Sequence, residues 1–319
     1  MILKNFITIF LFLMGFATEA QSGMSFVHPE GKFVQVNGVR LWIEMVGKGD
    51  PLFMIAGGPG YSHLYMHSFD SLKDSNLLVF IDNFGRGKSD TAKDISQYNI
   101  SREVEDVEGI RKALGYDKIN LLGHSYGSVV VQEYALEYGI HVKHLIIADG
   151  LYNAKMWQEI CDNSNHEFSE NDPELWDSLM AIRSRGYRSS DKVHAELYNR
   201  FHSGLLYAYC PENFKHLPED ANYPNDFNTK LYYQFVGSDG DFYIGNEIVK
   251  FDVSLKLKDL KMPVLIITGR YDRVVVPKYS VLYKIYCPQA KFVMFEHSGH
   301  YPQLEEPEKA FALIRNFLK

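Results

Sequence analysis

Ile119-Asn120-Leu121-Leu122-Gly123-His124-Ser125-Tyr126-Gly127-Ser128-Val129-Val130-Val131 is the stretch that decides the fold. Residues 119–122 form a short apolar run that reads as a strand, and residues 129–138 read as a helix. Between them Ser125 stands between Gly123 and Gly127. A serine at a sharp strand-to-helix turn is held in a strained backbone conformation that lifts its hydroxyl clear of the sheet. Side chains at Gly123 and Gly127 would collide with neighbouring backbone there. The start of the following helix favours negative charge beside the hydroxyl. Ser125 is therefore the candidate nucleophile.

A serine hydroxyl is a weak nucleophile at neutral pH and needs a base. His300, in Glu296-His297-Ser298-Gly299-His300, follows the apolar run 292–295 and is the expected base, with His297 as its rival. A base needs an acid to hold its tautomer and to stabilise the imidazolium. Asp272, in Gly269-Arg270-Tyr271-Asp272, follows the run 264–268 and gives the chain order Ser, Asp, His; Asp149, after the run 145–148, is the alternative. The oxyanion of an acyl-transfer intermediate needs N–H donors. Ala56-Gly57-Gly58-Pro59-Gly60 exposes backbone amides just after another strand, so Gly58 N–H and Tyr126 N–H are the expected pair. The loop from Asp82 to Asp90, Asp-Asn-Phe-Gly-Arg-Gly-Lys-Ser-Asp, lacks the glycine spacing of a dinucleotide fingerprint and reads as support for the site. No cysteine or histidine spacing suggests a metal, and no cofactor is expected.

Working outward, apolar runs ending in polar, glycine-rich loops recur at residues 52–56, 77–81, 119–122, 145–148, 264–268 and 292–295. They lack a clean period of two, as strands covered by helices on both faces do. Residues 33–46 read as a hairpin about Asn37-Gly38, a pair that tolerates positive φ at both turn positions. Ser101 is the expected cap of a helix carrying Val104, Val107, Ile110 and Leu114 at helical spacing, with Gly115 as its stop. Residues 307–318 form a last helix. Alternating strands and helices predict an α/β fold: a mainly parallel sheet flanked by helices. The rhythm stops between residues 151 and 251, which are rich in Tyr, Asn, Asp and Glu with helical patches at 175–182 and 193–201. That segment reads as a mostly helical cap inserted into a core of residues 21–150 and 252–319.

Composition narrows the class. With 46% hydrophobic residues the 319-residue chain can bury a real core. A net charge of −7, with no dense Lys/Arg run, provides no field to attract nucleic acid. Residues 1–20 have the layout of a secretory signal peptide: Lys4, an apolar run at 6–16, then small residues ending at Ala20. The expected product is exported to the periplasm or the medium. The apolar run falls short of the about 20 residues that span a bilayer, so no stable membrane span is expected once it is cleaved; an uncleaved anchor is the alternative. Cys161, Cys210 and Cys287 leave two readings open, a Cys161–Cys210 disulfide or buried free thiols.

Together these motifs resemble the α/β-hydrolase superfamily over nearly all of the chain after residue 20. Within it, Gly57-Gly58-Pro59-Gly60 and Gly123-His124-Ser125-Tyr126-Gly127-Ser128 resemble the proline iminopeptidase branch, although Ala56 stands where that branch usually has histidine and Phe84 where it usually has arginine. The resemblance implies release of an N-terminal residue, often proline, from small peptides. It also implies acidic cap residues that bind the free α-amine. Gly237-Ser238-Asp239-Gly240-Asp241-Phe242 is similar to one such segment, which makes Asp241 and Asp239 the substrate-binding candidates; residues 205–211 lack the acidic residue of the other. A carboxylic-ester or lactone hydrolase with the same three residues is the second reading, and a non-catalytic binding protein on this scaffold the third. A dehalogenase or epoxide hydrolase would need a carboxylate where Ser125 stands.

Overall fold

The structure is a computed structural model and describes residues 26–201 and 204–319; the expected signal peptide lies outside them. Eight strands form one sheet: β1 (Gly31–Val36), β2 (Val39–Gly47), β3 (Pro51–Ile55), β4 (Leu77–Ile81), β5 (Ile119–His124), β6 (Val142–Ala148), β7 (Val264–Gly269) and β8 (Lys291–Phe295). Their order is β1-β2-β4-β3-β5-β6-β7-β8. β2 runs antiparallel to both its neighbours, and every pairing from β4 to β8 is parallel. The hairpin turns on Asn37 and Gly38, both at positive φ (48° and 82°). Because β3, β5, β6, β7 and β8 are parallel, the loops at their C-terminal ends share one rim. Those loops carry Gly58, Ser125, Asp149, Asp272 and His300.

The unbroken apolar runs follow from the layering. On one face Phe53, Ile55, Val79, Ile81, Leu121 and Ile147 pack with Val104, Val107 and Ile110 of helix α1 (Ile100–Ala113) and Val130 and Tyr134 of helix α2 (Gly127–Glu137). On the other, Leu52, Met54, Leu78, Phe80, Leu122 and Ile146 pack with Met66, Phe69 and Leu72 of a 3-10 stretch (Leu64–Asp74) and Ala310, Phe311 and Ile314 of the last helix (Pro307–Phe317). Successive strand residues point to opposite faces, and here both faces exclude water.

Two local expectations need correction, and one open reading is settled. The cap of α1 is Asn99, whose side chain accepts from Arg102 N–H, while Ser101 lies inside the helix. The three cysteines are free, and the Cys161 thiol contacts the Gly240 carbonyl at 3.1 Å. The segment between β6 and β7 opens with an unforeseen helix α3 (Ala154–Asn171), which buries only Met156, Trp157, Cys161 and Phe168 and so carries a weak apolar stripe. Asn153 caps it through Met156 N–H. Helix α4 (Pro173–Arg183) follows, capped by Asp172 with Pro173 in its first turn. Then come α5 (Lys192–Tyr198) and a helix at Thr229–Val236. Phe168, Leu175, Leu179 and Ile182 form a small apolar cluster of their own, with Trp176, Tyr198, Phe201 and Phe242 around it.

Candidate active site

Ser125 is held at φ = 55°, a left-handed conformation that costs a non-glycine residue free energy and persists only when its surroundings enforce it. The surroundings do so through contact distances. A Cβ at Gly123 would lie 2.4 Å from the Gly127 carbonyl oxygen, and one at Gly127 would lie 2.1 Å from the Ile55 oxygen. Both glycines let α2 begin directly against β3 and β5. Ser125 N–H donates to the Ala148 carbonyl at 2.9 Å, anchoring the turn to β6. Ser125 stays partly exposed among buried neighbours, so its hydroxyl side is open.

His300 is buried and its Nδ1 lies 2.8 Å from Asp272 Oδ2. The other carboxylate oxygen of Asp272 accepts from Val274 and Val275 N–H, each at 2.8 Å. Asp272 therefore has one oxygen fixed by backbone and one turned to the ring, which makes Nδ1 the protonated nitrogen and places the ring's lone pair on Nε2. His300 N–H donates to the Tyr207 carbonyl at 2.6 Å, which ties its loop to the segment between β6 and β7. His297 is exposed, three residues away on the same loop. Asp149 is fully buried at φ = 46° and accepts from Gly269 N–H at 2.9 Å. Burial, and the Asp272 carboxylate beside it, push the Asp149 carboxyl well above the usual carboxylate range.

The glycine loop packs directly on the serine turn: a Cβ at Gly57 would come within 2.8 Å of Ser125 Cβ. Gly58 has φ = +116°, a conformation open to glycine. A hydrogen-bonded chain that sequence reasoning missed links this loop to His300. Gly57 N–H donates to the Tyr65 hydroxyl (2.6 Å), Tyr65 lies 3.0 Å from His124 Nδ1, and His124 Nε2 lies 2.8 Å from the His300 carbonyl. A carbonyl only accepts, so His124 Nε2 carries the proton and Nδ1 accepts from Tyr65. Burial, and His300 nearby, hold the His124 pKa well below the ordinary histidine value, consistent with this neutral tautomer. The Asp82–Asp90 loop braces the other side. Arg86 donates to the Pro59 carbonyl and pairs with buried Glu103 at 2.5 Å, and Glu103 also accepts from the Tyr126 hydroxyl.

A family profile described as alpha/beta hydrolase fold matches residues 50–307, most of the chain. This chain belongs to the α/β-hydrolase family. Its curated relatives include a proline iminopeptidase of Heyndrickxia coagulans, 27% identical over 296 residues that cover 92% of this chain and 99% of that one. Another is a proline iminopeptidase of Saccharolobus solfataricus, 28% identical over 302 residues, covering 92% and 93%. Among solved structures, the Mycobacterium smegmatis proline iminopeptidase superposes with a TM-score of 0.72 at 19% identity, covering 91% of this chain and 97% of that one. The α/β-hydrolase is thus similar to proline iminopeptidases along nearly its whole length, and the chain is a hydrolase.

In this α/β-hydrolase the two cap carboxylates are placed unequally. Asp239 makes a bidentate ion pair with Arg183 (2.7 and 2.8 Å) and also meets Ser189 N–H and its hydroxyl. It is spent on holding the cap together and is not free to receive an amine, a correction to its expected role. Among the described residues Asp241 has no such cation at ion-pair distance, and Tyr233 OH approaches it at 3.5 Å. Burial pushes its carboxyl up to about 6, with Ser189 opposing and Asp239 adding to the rise. The Tyr207 hydroxyl is pushed up to about 12, chiefly by burial, with the Asp272 and Asp241 carboxylates adding to the rise. Tyr207 also packs edge-on against the His300 ring at 5.6 Å. Away from this rim the fold gathers His28, Glu44, His63 and His67 into a cluster of metal-ligand type. The spacing His63-x3-His67 is the sequence signal that could have pointed to it.

Proposed function

We propose that the chain is a serine hydrolase that releases N-terminal residues from small peptides through an acyl-enzyme. The observation that carries this reading is the 2.8 Å contact of His300 Nδ1 with Asp272, on a rim shared with a positive-φ Ser125. Ser125 Oγ attacks the carbonyl carbon of the N-terminal residue while His300 Nε2 takes its proton. Gly58 and Tyr126 N–H receive the oxyanion. Collapse expels the shortened peptide as an amine that takes the proton from His300, and water, activated by the same ring, then cleaves the ester. Asp241 pairs with the free α-ammonium of the substrate, which selects an N-terminus over an internal bond. The relatives' names support proline as a favoured residue. The apolar leader at residues 6–16 supports action outside the cytoplasm, checked by the N-terminal sequence of the protein recovered from its host.

The test is a paired substrate assay. Prolyl and other aminoacyl arylamides are expected to turn over, their N-acylated forms to be refused, and a fluorophosphonate to label Ser125. Equal turnover of free and blocked arylamides removes the aminopeptidase reading. One observation favours a second reading: with Asp239 committed to Arg183, a single carboxylate remains for an ammonium, as in a carboxylic-ester hydrolase that needs none. Cleavage of short acyl esters with none of aminoacyl arylamides selects that reading.

A further inference from the structure

From the cluster on the far side of the glycine loop we infer a second site: His28, His63, His67 and Glu44 bind one zinc-class divalent cation as a closed, four-ligand structural centre. The ligands come from separate parts of the chain. His28 precedes β1, Glu44 lies on β2, and His63 and His67 sit one helical turn apart at the start of the 3-10 stretch that leaves the glycine loop. Around Glu44 Oε2 stand His28 Nδ1 at 3.0 Å, His63 Nε2 at 3.3 Å and His67 Nε2 at 3.4 Å. A tetrahedral zinc with bonds of about 2.0–2.1 Å has ligand-to-ligand edges of about 3.3–3.4 Å. The three edges to Glu44 Oε2 are already of about that length, and all four ligand atoms lie within 4.8 Å of one another.

Hydrogen bonding points to the same conclusion. Each ring's outer nitrogen faces a carboxylate: His63 Nδ1 to Asp82 at 2.7 Å, His67 Nδ1 to Asp70 at 2.9 Å and His28 Nε2 to Asp220 at 3.3 Å. Such carboxylate–histidine pairs place the proton on the outer nitrogen and orient the inner lone pair at a metal. His63 Nε2 and His67 Nε2 are buried and have no hydrogen-bond partner among the described residues, although both approach Glu44. Inner lone pairs turned on a carboxylate repel it, and a cation between them reverses the sign of every contact. Glu44 Oε1 is held apart by the Trp42 indole N–H at 3.1 Å and Lys88 at 3.6 Å, leaving Oε2 as a single ligand. Phe26, Phe80 and Tyr223 pack on the histidine rings and wall the cluster off. Three imidazoles and one carboxylate suit zinc, and four protein ligands leave no open position for catalysis. Through Asp220 and Tyr223, whose hydroxyl donates to Asp82 at 2.8 Å, the centre pins the insertion to the glycine loop.

The experiment uses the full chain. After expression with zinc and exhaustive dialysis, elemental analysis is expected to find one zinc per chain. Strong chelation should lower Tm and zinc should restore it. Cobalt in place of zinc should give the intense visible bands of a four-coordinate centre. His63→Asn should remove the metal, His166→Ala on the exposed surface should retain it, and Asp70→Asn should weaken zinc binding about 10- to 100-fold. If His63→Asn does not fold, the wild-type cobalt spectrum and the half-exposed Asp70→Asn variant still decide. A folded wild type that takes up neither zinc nor cobalt overturns the proposal and makes the rings imidazolium counter-ions of the surrounding carboxylates. Zinc affinity unchanged in Asp70→Asn, or full occupancy in folded His63→Asn, overturns it equally.

Discussion

The sheet rim and the helical insertion that faces it are built on opposite plans. At the rim, position is set by steric exclusion: Gly123, Gly127 and Gly57 admit no Cβ, Ser125 is forced to positive φ, and each loop hangs from the end of a parallel strand. In the insertion, position is set by side chains that find one another across long stretches of chain. Arg183 clamps Asp239, Phe168 stacks on Phe201, and Gln158 donates to the Phe242 carbonyl. A rim made that way tolerates little drift and suits bond making. An insertion made that way can exchange its side chains while keeping its helices, which suits a region that selects substrates.

The sharpest way to break this contrast is at the rim. Ser125→Ala is expected to lower kcat/KM by about 10⁵-fold or more and to abolish fluorophosphonate labelling, with an unchanged far-UV circular dichroism spectrum. Retained turnover would mean the chemistry lies elsewhere. Asp272→Asn should cost about 10⁴-fold in kcat, because an amide can present its N–H to His300 and favour the wrong tautomer. A small effect there, with a large one in Asp149→Asn, would transfer the acid's role to Asp149.

Effects in the insertion should be smaller and selective. Asp241→Asn is expected to lower kcat/KM for free-amine arylamides about 10- to 100-fold and to leave short esters nearly unaffected. Since burial raises the Asp241 carboxyl to about 6, it is ionised above that pH and neutral below it. The preference for a free over a blocked N-terminus should therefore fade as pH drops through about 6 in the wild type and be flat in Asp241→Asn. Identical pH profiles of that ratio would detach Asp241 from the amine. The smallest effect on the rim is expected from Arg183→Met in the insertion, which strands the Asp239 carboxylate. It should destabilise the protein by about 1–3 kcal/mol in thermal or urea unfolding while Ser125 still labels, and loss of labelling would show that the two regions are coupled.

What could be read in advance follows the same division. The six apolar runs located β3 to β8 to within a few residues and the Asn37-Gly38 turn located the hairpin of β1 and β2, because burial on both faces of the inner strands demands continuous hydrophobicity that sequence displays directly. The places of Ser125, His300 and Asp272 on the rim were legible because each follows such a run closely. Helix α3 was not, since only four of its side chains are buried, and Asn99 displaced Ser101 as a cap by a choice between two capping residues two positions apart that propensity does not rank. The Asp239–Arg183 pair joins residues 56 positions apart, and no local pattern marks it.

By itself the sequence determined the α/β layering, the serine turn and the order of the three polar residues along the chain, because these rest on short-range periodicity and on glycine where no side chain fits. The tertiary structure alone decided which carboxylate faces His300, which cap acid stays free, and how Tyr65 and His124 link the glycine loop to the base. It also brought His28, Glu44, His63 and His67 to one point. Such outcomes depend on where distant segments meet and on which polar groups are already satisfied when they do, and neither quantity is carried by any single window of the chain.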